Sequence, residues 1–378
     1  MGKLAMMEAR GAGTETEREL LKRAEEALRS FLPSYLTLTR ATDVPSAHGD
    51  SGIDAVWELG GDGGSTAPIC VQAKSSFTPK DAQQLRWMRA SLDAAAPDQT
   101  LLVVSPWLSA RSRELLADQN ISYLDLSGNV LLRSSRPAVF VHLQGEDRNP
   151  SPKARRGVTL QGPKAQRLAR LLVDFAPPYR LKDLAGASGL SLGYVSRLLE
   201  TLQDQALVDR SRRGAVEQVD WPALLRESAK GYVPTRTNLV GSFVAPAGAA
   251  ALYRRLTEEP TAPPVVVTGS FAAVAVAPIA APSQLMIYTD VPAIVQNFGR
   301  LLPAERGANV LLLRDGDVAA TARPRLVDGI GHVALSQLVM DCANGPGRLP
   351  EEGAAVLEWM QANEEAWRNP MLVETLAR

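Results

Sequence analysis

The sequence predicts an α/β multidomain chain, and three observations carry that prediction. Its 378 residues exceed the roughly 100 to 200 of a single domain, so two or three cores are expected. Short apolar runs of strand length alternate with amphipathic stretches of helix length, the pattern of layered α/β folds. Charge is distributed unevenly as well. Residues 1–150 carry 16 Lys/Arg and 19 Asp/Glu, residues 151–236 carry 15 and 8, and residues 237–378 carry 10 and 14, so a basic block of +7 lies between blocks of −3 and −4. With 45% hydrophobic and 22% charged residues, the composition excludes a disordered chain. No apolar run approaches the ~20 residues that span a bilayer, so no membrane partner is expected. Cys70 and Cys342 lie far apart, which excludes a disulfide framework or a cysteine-rich zinc site. The charged segment from Glu15 to Arg29 lacks the apolar core of a secretion signal, and a cytoplasmic protein is expected.

In the first block the pattern predicts a helix from Thr14 to Phe31, a strand ending near Arg40, and strands at Ile53–Leu59 and Ile69–Lys74. A helix from Pro79 to Ala95, the strand Thr100–Ser105, a helix from Ser109 to Asp118 and the strand Ile121–Leu126 follow. The Gly, Pro and basic residues of 146–163 read as a linker, which bounds a first domain at 1–145. Tyr232-Val233-Pro234-Thr235 marks a second change, bounding a middle domain at 164–232 and a last one at 233–378.

The middle block predicts helices at Lys164–Asp174 and Arg180–Ala187, a turn at Gly189-Leu190-Ser191, and a third helix. Leu192, Val195, Leu198, Leu199 and Leu202 form one apolar stripe facing the first two helices. That leaves Ser191, Gly193, Tyr194, Ser196 and Arg197 for an outer face. Arg197 has the fork to read guanine bidentately, whereas Tyr194 reaches phosphate. Ala206–Val208 and Ala215–Glu217 read as strands joined by a basic tip with Arg210, Arg212 and Arg213. Arg180 and Lys182 are placed for backbone phosphates, the contacts that dominate nucleic-acid affinity. Leu181-Lys182-Asp183-Leu184-Ala185 together with Leu192-Gly193-Tyr194-Val195-Ser196-Arg197 resembles the winged helix-turn-helix of bacterial IclR- and MarR-type regulators. The resemblance covers about 65 residues. It implies binding to double-stranded DNA, as a homodimer on a two-fold site and with no cofactor.

In the first block, period-two alternation puts Asp54 and Glu58 on one face of a strand, and Cys70, Gln72 and Lys74 on one face of the next. Gly52-Ile53-Asp54 with Val71-Gln72-Ala73-Lys74 resembles the PD-(D/E)xK nuclease core, in the Gln-x-Lys variant of Mrr-type restriction enzymes. The resemblance implies a restriction-endonuclease-like domain in which Asp54 and Gln72 hold Mg²⁺ and Lys74 activates water. A Glu of the first helix, Glu19 or Glu25, would assist. Gln72 is a neutral ligand where a carboxylate is commoner, which weakens the site for a hard cation. The phrase Asn120–Val130, with Asp125 and Asn129 bracketing a turn at Gly128, resembles a segment of regulators similar to AbiEi-type antitoxins of type IV toxin-antitoxin systems. That resemblance implies a toxin protein as a further partner, although Asp125 and Asn129 themselves read first as turn chemistry.

In the last block, Val265–Ala273 predicts a strand entering a Gly-Ser turn, which with the strands Gln284–Asp290 and Asn309–Leu313 resembles a nucleotidyltransferase-like or AbiEi-like shell. Such catalysis needs two carboxylates on the following strand, and only Asp290 is present, so partner or ligand sensing is expected instead. His332 has no second ligand at metal spacing and reads as structural. Trp359 and Trp367, eight residues apart, read as core on one helical face. The expected function is a sequence-specific DNA-binding transcriptional regulator, an antitoxin or autorepressor in the AbiEi resemblance. The alternative is a Mg²⁺-dependent endonuclease guided by its winged helix.

Overall fold

The computed structural model describes residues 17–41, 52–61, 64, 66–95, 98–147, 149–150, 160–315, 320–370 and 372. It is a mixed α/β chain in two compact units, which part between Arg156 and Gly157. This boundary falls inside the predicted linker, most of which lies outside the described residues.

The first unit runs α1 (Glu17–Phe31), β1 (Leu36–Arg40), β2 (Ala55–Gly61), β3 (Thr66–Ala73), α2 (Pro79–Ala95), β4 (Thr100–Ser105), α3 (Ala110–Asp118), β5 (Ser122–Asp125), β6 (Val130–Ser134) and β7 (Val139–Leu143). Its seven strands form one sheet in sequence order. β3, β4 and β5 are parallel to one another and the other neighbours are antiparallel. Leu20, Ala24 and Leu28, spaced by four, put one face of α1 on Trp57, Leu59, Ile69, Val71, Leu102 and Val104. On the opposite face, Cys70, Leu101, Val103 and Tyr123 pack with Phe77, Ala82, Leu85 and Leu92 around α2 and with Leu116 of α3. All six residues of β4 are buried because helices cover both faces of the sheet at its centre, which is why this run reads as apolar without alternation. β7 was not foreseen; its run Val139-Phe140-Val141-His142-Leu143 is mostly apolar, yet its side chains are half-buried or exposed.

The second unit begins with α4 (Pro163–Asp174), α5 (Leu181–Ser188), α6 (Leu192–Asp204), β8 (Val208–Arg210), β9 (Val216–Val219) and α7 (Trp221–Ala229). It continues with α8 (Pro234–Thr237), β10 (Leu239–Val244), α9 (Ala249–Glu258), β11 (Val266–Thr268), α10 (Ser270–Ala273), β12 (Leu285–Tyr288), α11 (Pro292–Gly299), β13 (Leu302–Pro303) and β14 (Val310–Leu313). β15 (Arg325–Val327), β16 (Ile330–His332), α12 (Leu335–Ala343), α13 (Leu349–Ala362) and α14 (Glu364–Trp367) complete it. The mixed sheet has the order β13-β10-β14-β12-β11-β16-β15. The expected middle and last segments share a single hydrophobic core, in which Leu168, Leu172, Leu198 and Leu224 join Val267, Leu285, Leu312 and Leu338. The physical link is α4 and α7 packing on α12. Trp359 and Trp367 sit on different helices, α13 and α14, and Trp367 meets Trp221 edge-on at 5.0 Å. The turn before α14 breaks the single helical face that their spacing suggested.

Two buried titratable groups in this unit shift in opposite senses. Burial, helped by Arg325, drives the His332 imidazole down to about 4. Its Nε2 meets the Tyr253 hydroxyl at 3.0 Å and its Nδ1 has no partner among the described residues. Burial pushes the Asp341 carboxyl up to about 6, against hydrogen bonds from Thr268, Gln337, Tyr288 and Tyr232. The stability that neutral His332 contributes is present above pH 6.5 and lost as pH falls toward 4. Protonation of Asp341 acts the other way, adding stability as pH falls from 6 toward 3.8. Urea unfolding of the full chain and of His332→Gln should show the wild-type advantage shrinking by about 3 kcal/mol between pH 6.5 and 4. For Asp341→Asn, the advantage should instead grow by a similar amount as pH falls from 6 to 4; parallel curves would refute either assignment.

Candidate functional site

Three groups of side chains bear on function. The first surrounds the end of β3. Asp54 directly precedes β2, its N–H donates to the Val71 carbonyl at 2.8 Å, and its Oδ2 accepts the Ala73 N–H at 2.8 Å. The β2–β3 register of Ala55 with Val71 sets Asp54 opposite Gln72. By alternation, Asp54, Gln72 and Lys74 lie on the α2/α3 side of the sheet, as the sequence predicted. Gln72 Oε1 is buried without a hydrogen-bond partner among the described residues. Lys74 Nζ, however, is ion-paired with Asp81 Oδ1 at 2.8 Å, and Asp81 also accepts from the Thr78 N–H and hydroxyl at 2.7 Å. Burial pushes the Asp81 carboxyl up, but the bonds from Lys74 and Thr78 hold it below its usual value. Lys74 thus braces the start of α2.

The first helix supplies no assisting carboxylate. Glu25 is buried between Arg29 and Arg40 on the α1 side of the sheet, opposite Asp54, and Glu19 also belongs to α1. No cluster of three His, Cys, Asp or Glu side chains able to hold a metal occurs among the described residues. With one carboxylate, one neutral amide and a lysine already paired, this donor set does not fit Mg²⁺, which favours charged oxygens in a near-octahedral shell.

Asp125 and Asn129 form a saturated structural turn. Asp125, 1% exposed, accepts from the N–H groups of Leu108, Ser127 and Asn129, from the Ser127 hydroxyl and from Asn129 Nδ2. Asn129 also donates to the Glu146 carbonyl and accepts from Gly145 N–H and Arg113. Gly128, at φ +95°, makes the turn that places them.

The second group lies on α5, α6 and the β8–β9 hairpin. Gly189, at φ +64°, ends α5, and the Ser191 hydroxyl accepts the Tyr194 N–H at 3.3 Å, capping α6. Val195, Leu198, Leu199 and Leu202 are fully buried, whereas Leu192, placed in the same stripe by sequence, is 48% exposed. α6 meets the core only from its second turn onward. Tyr194 is half-buried against the core, and burial raises its phenol above the ordinary value, so it is less available than the sequence suggested. The Ser196 hydroxyl bonds Glu200 at 3.2 Å. Arg197 is exposed on the same helix, and its guanidinium has no partner among the described residues.

Tyr179 pairs with Val216 through two backbone hydrogen bonds of 3.0 Å, adding a third segment to the hairpin and bringing Arg180 beside it. Arg180 and Lys182 are exposed at the start of α5, where Asp183 accepts the Arg180 N–H at 3.3 Å. Arg210 Nε holds the Gly214 carbonyl at 3.3 Å, and Gly214, at φ +85°, closes the tip. Arg212 and Arg213 project from that tip, exposed and unpaired among the described residues.

The third group went unrecognised in the sequence. Beside α4, Gln161, Gly162, Gln166, Arg170, Lys230, Tyr232, Arg236, Asn238 and Asp315 line a cleft of about 530 Å³. Arg170 is 5% exposed and its Nη1 donates to Gln337 Oε1 at 2.6 Å. Gln337 Nε2 donates to Asp341 at 2.7 Å, and Asp341 receives Thr268, Tyr288 and Tyr232 hydroxyls at 2.6, 3.1 and 3.3 Å. A signal existed: Arg170 interrupts the apolar face of α4, and Gln337 and Asp341 stand four apart in a largely apolar helix. The Gly-Ser turn after β11 is engaged internally, since the Ser270 hydroxyl donates to Glu352 at 2.6 Å, and Asp290 is exposed beyond β12.

Comparison with protein-family models, with curated proteins and with solved structures gave no match. No helix among the described residues is long and apolar enough to cross a membrane.

Asp125→Ala should destabilise the first unit by about 3 kcal/mol or more, because it orphans the buried Leu108 and Asn129 amides. Hydrogen exchange at those two amides and a urea titration measure this, and a loss below about 1 kcal/mol would contradict the buried-acceptor account.

Proposed function

We propose that this protein is a sequence-specific double-stranded DNA-binding transcriptional regulator in which residues 163–219 act as a winged helix-turn-helix. The observation that carries the reading is the set of exposed cations with no acidic partner among the described residues, at the start of α5, on α6 and at the hairpin tip: Arg180, Lys182, Arg197, Arg212 and Arg213. They belong to the one segment with a strong positive charge, +7 over residues 151–236. Phosphate contacts release counterions and supply most of the affinity, while base edges in the major groove supply specificity.

In this reading α6 lies in the major groove. Its exposed first turn, Leu192 and Gly193, approaches the floor, and Arg197 donates two N–H groups to a guanine edge. Ser191 and Ser196 shape the helix surface through their own hydrogen bonds and contribute less to readout than Arg197. Tyr194, anchored on the core, braces that surface. Arg212 and Arg213 at the tip, with Arg180 and Lys182 at the start of α5, contact phosphates. Arg210 keeps the tip closed through Gly214. A homodimer on a two-fold operator and autorepression beside a toxin partner, as in AbiEi-like antitoxins, extend this reading. The first unit serves it as a binding or dimerisation module. The endonuclease alternative, with Asp54, Gln72 and Lys74 around Mg²⁺, is the weaker reading because Lys74 is held by Asp81.

Gel shifts on the protein's own upstream DNA and on random DNA, each with and without Mg²⁺, test both readings. A sequence-specific shift with intact DNA in every lane is expected. Mg²⁺-dependent loss of DNA, abolished by Asp54→Ala, would establish the nuclease instead. Arg197→Ala should weaken specific binding by about 1–3 kcal/mol and relax one base position, and a uniform loss over all sequences would make Arg197 a phosphate contact. Replacing Arg212 and Arg213 together should flatten the slope of log affinity against log salt by about two phosphate contacts, at ~0.9 each. An unchanged slope would remove the hairpin tip from the interface.

A further inference from the structure

The cleft beside α4 is built around a cation that the fold does not fully satisfy. Arg170 is buried and makes one hydrogen bond among the described residues, to the neutral Gln337 side chain. Its Nε is buried with no partner among the described residues. Burial pulls its guanidinium below the ordinary value, against the nearby charges that favour it. The nearby carboxylates whose charges favour it, Asp174 and Asp315, form no direct ion pair with it among the described residues and accept from other groups. Asp174 binds Arg323 at 2.5 Å, and Asp315 accepts the Thr321 N–H at 2.8 Å, while Asp341 lies beyond Gln337 and takes that residue's amide. A buried guanidinium without a direct ion pair is costly, and such a group facing a cavity is commonly a ligand contact.

The rest of the lining has the same sign. Arg236 is exposed at the rim and unpaired among the described residues, and Lys230 is held at the rim by Glu227 at 2.5 Å. Asp315 is the one carboxylate in the lining among the described residues, and its Oδ2 accepts from the Thr321 N–H and hydroxyl. Gly162 and Pro163 bring the N-terminal end of α4 to the cleft, and Gly162 offers no side-chain cap to its first turn. That end carries the positive pole of a twelve-residue helix. Gln161, Gln166, Asn238 and the Tyr232 hydroxyl add neutral hydrogen-bonding groups for the remainder of a ligand. At about 530 Å³ the cleft has the size of a small-molecule site.

We propose that this cleft binds a small organic anion bearing a carboxylate or phosphate, clamped by Arg170 and Arg236, and that its occupancy regulates DNA binding. The regulatory half rests on the DNA-binding reading above, whereas the anion site does not. The route between the two is short. Arg167, one turn before Arg170 on α4, donates from Nη1 to the Ser188 carbonyl at 3.1 Å, at the last residue of α5. Gly189 follows and turns the chain into α6. A ligand that draws Arg170 therefore biases the helix that also fixes the turn before α6, the type of two-state element through which sites couple.

The experiment is calorimetric titration of the full chain with inorganic phosphate and with succinate at constant ionic strength, followed by DNA gel shifts with and without the tighter of the two. Saturable binding of one probe is expected, weakened at least about tenfold in Arg170→Met and in the rim variant Arg236→Ala, and unchanged in Arg254→Met on α9. Phosphate preference would identify a phosphorylated ligand and succinate preference a carboxylate. The rim variant keeps the test valid if Arg170→Met fails to fold. Absence of saturable binding, or equal binding by wild type, Arg236→Ala and a folded Arg170→Met, would overturn the site. Arg170-dependent binding that leaves DNA affinity unchanged would overturn the regulatory half. Should the protein bind no DNA under any condition, the DNA-binding reading fails while the anion site stands on its own titration.

Discussion

A single buried polar chain organises the second unit. Arg170 on α4 reaches Gln337 on α12, Gln337 reaches Asp341 one turn on, and Asp341 collects the hydroxyls of Thr268 on β11, Tyr288 on β12 and Tyr232 after α7. In a low-dielectric interior each of these groups is costly unless all its partners are in place, so the elements that carry them must arrive together. The chain thereby fixes how α4 lies against α12 and the sheet. It explains why the helices and hairpin that carry Arg197 and Arg212 share one core with the C-terminal sheet. The same chain leaves Arg170 without a direct ion pair among the described residues at the edge of a cleft, so the constraint that orders the fold also opens its most chemically distinctive site.

The first unit solves a similar problem differently. Its mixed sheet is covered by α1 on one face and by α2 and α3 on the other, and its polar requirement is concentrated in the Asp125–Asn129 turn, where every carboxylate lone pair has a donor. Lys74 is used in the same structural way, by pairing with the Asp81 that caps the start of α2. The side chains that most resemble catalytic equipment in the sequence thus have internal partners, apart from the orphaned Gln72 carbonyl. In the second unit the opposite holds, since the exposed arginines on α6 and at the hairpin tip have none among the described residues. This contrast is why the functional argument rests on the basic segment.

Local periodicity determined a good deal of this protein by itself. α2 and β4 coincide with the segments marked by their apolar spacing, and the Gly189 turn, the Ser191 cap and the basic hairpin tip follow from residue types that act over a few positions. Exposure at Arg197 and Arg212 was legible for the same reason: a residue opposite an apolar stripe, or at the tip of a short hairpin, has nowhere to be buried. What the sequence could not supply were the pairings set by distant segments. Lys74 finds Asp81, Glu25 finds Arg40, Leu192 misses the core one turn before Val195, and Trp367 leaves the helix of Trp359 to meet Trp221. Arg170 is the sharpest case, because Gln337 and Asp341 lie far along the chain and only the tertiary fold brings them beneath it. Short-range sterics and alternation are written in neighbouring residues, whereas the burial of a charge depends on which remote groups close around it, and that is decided only when the core is assembled.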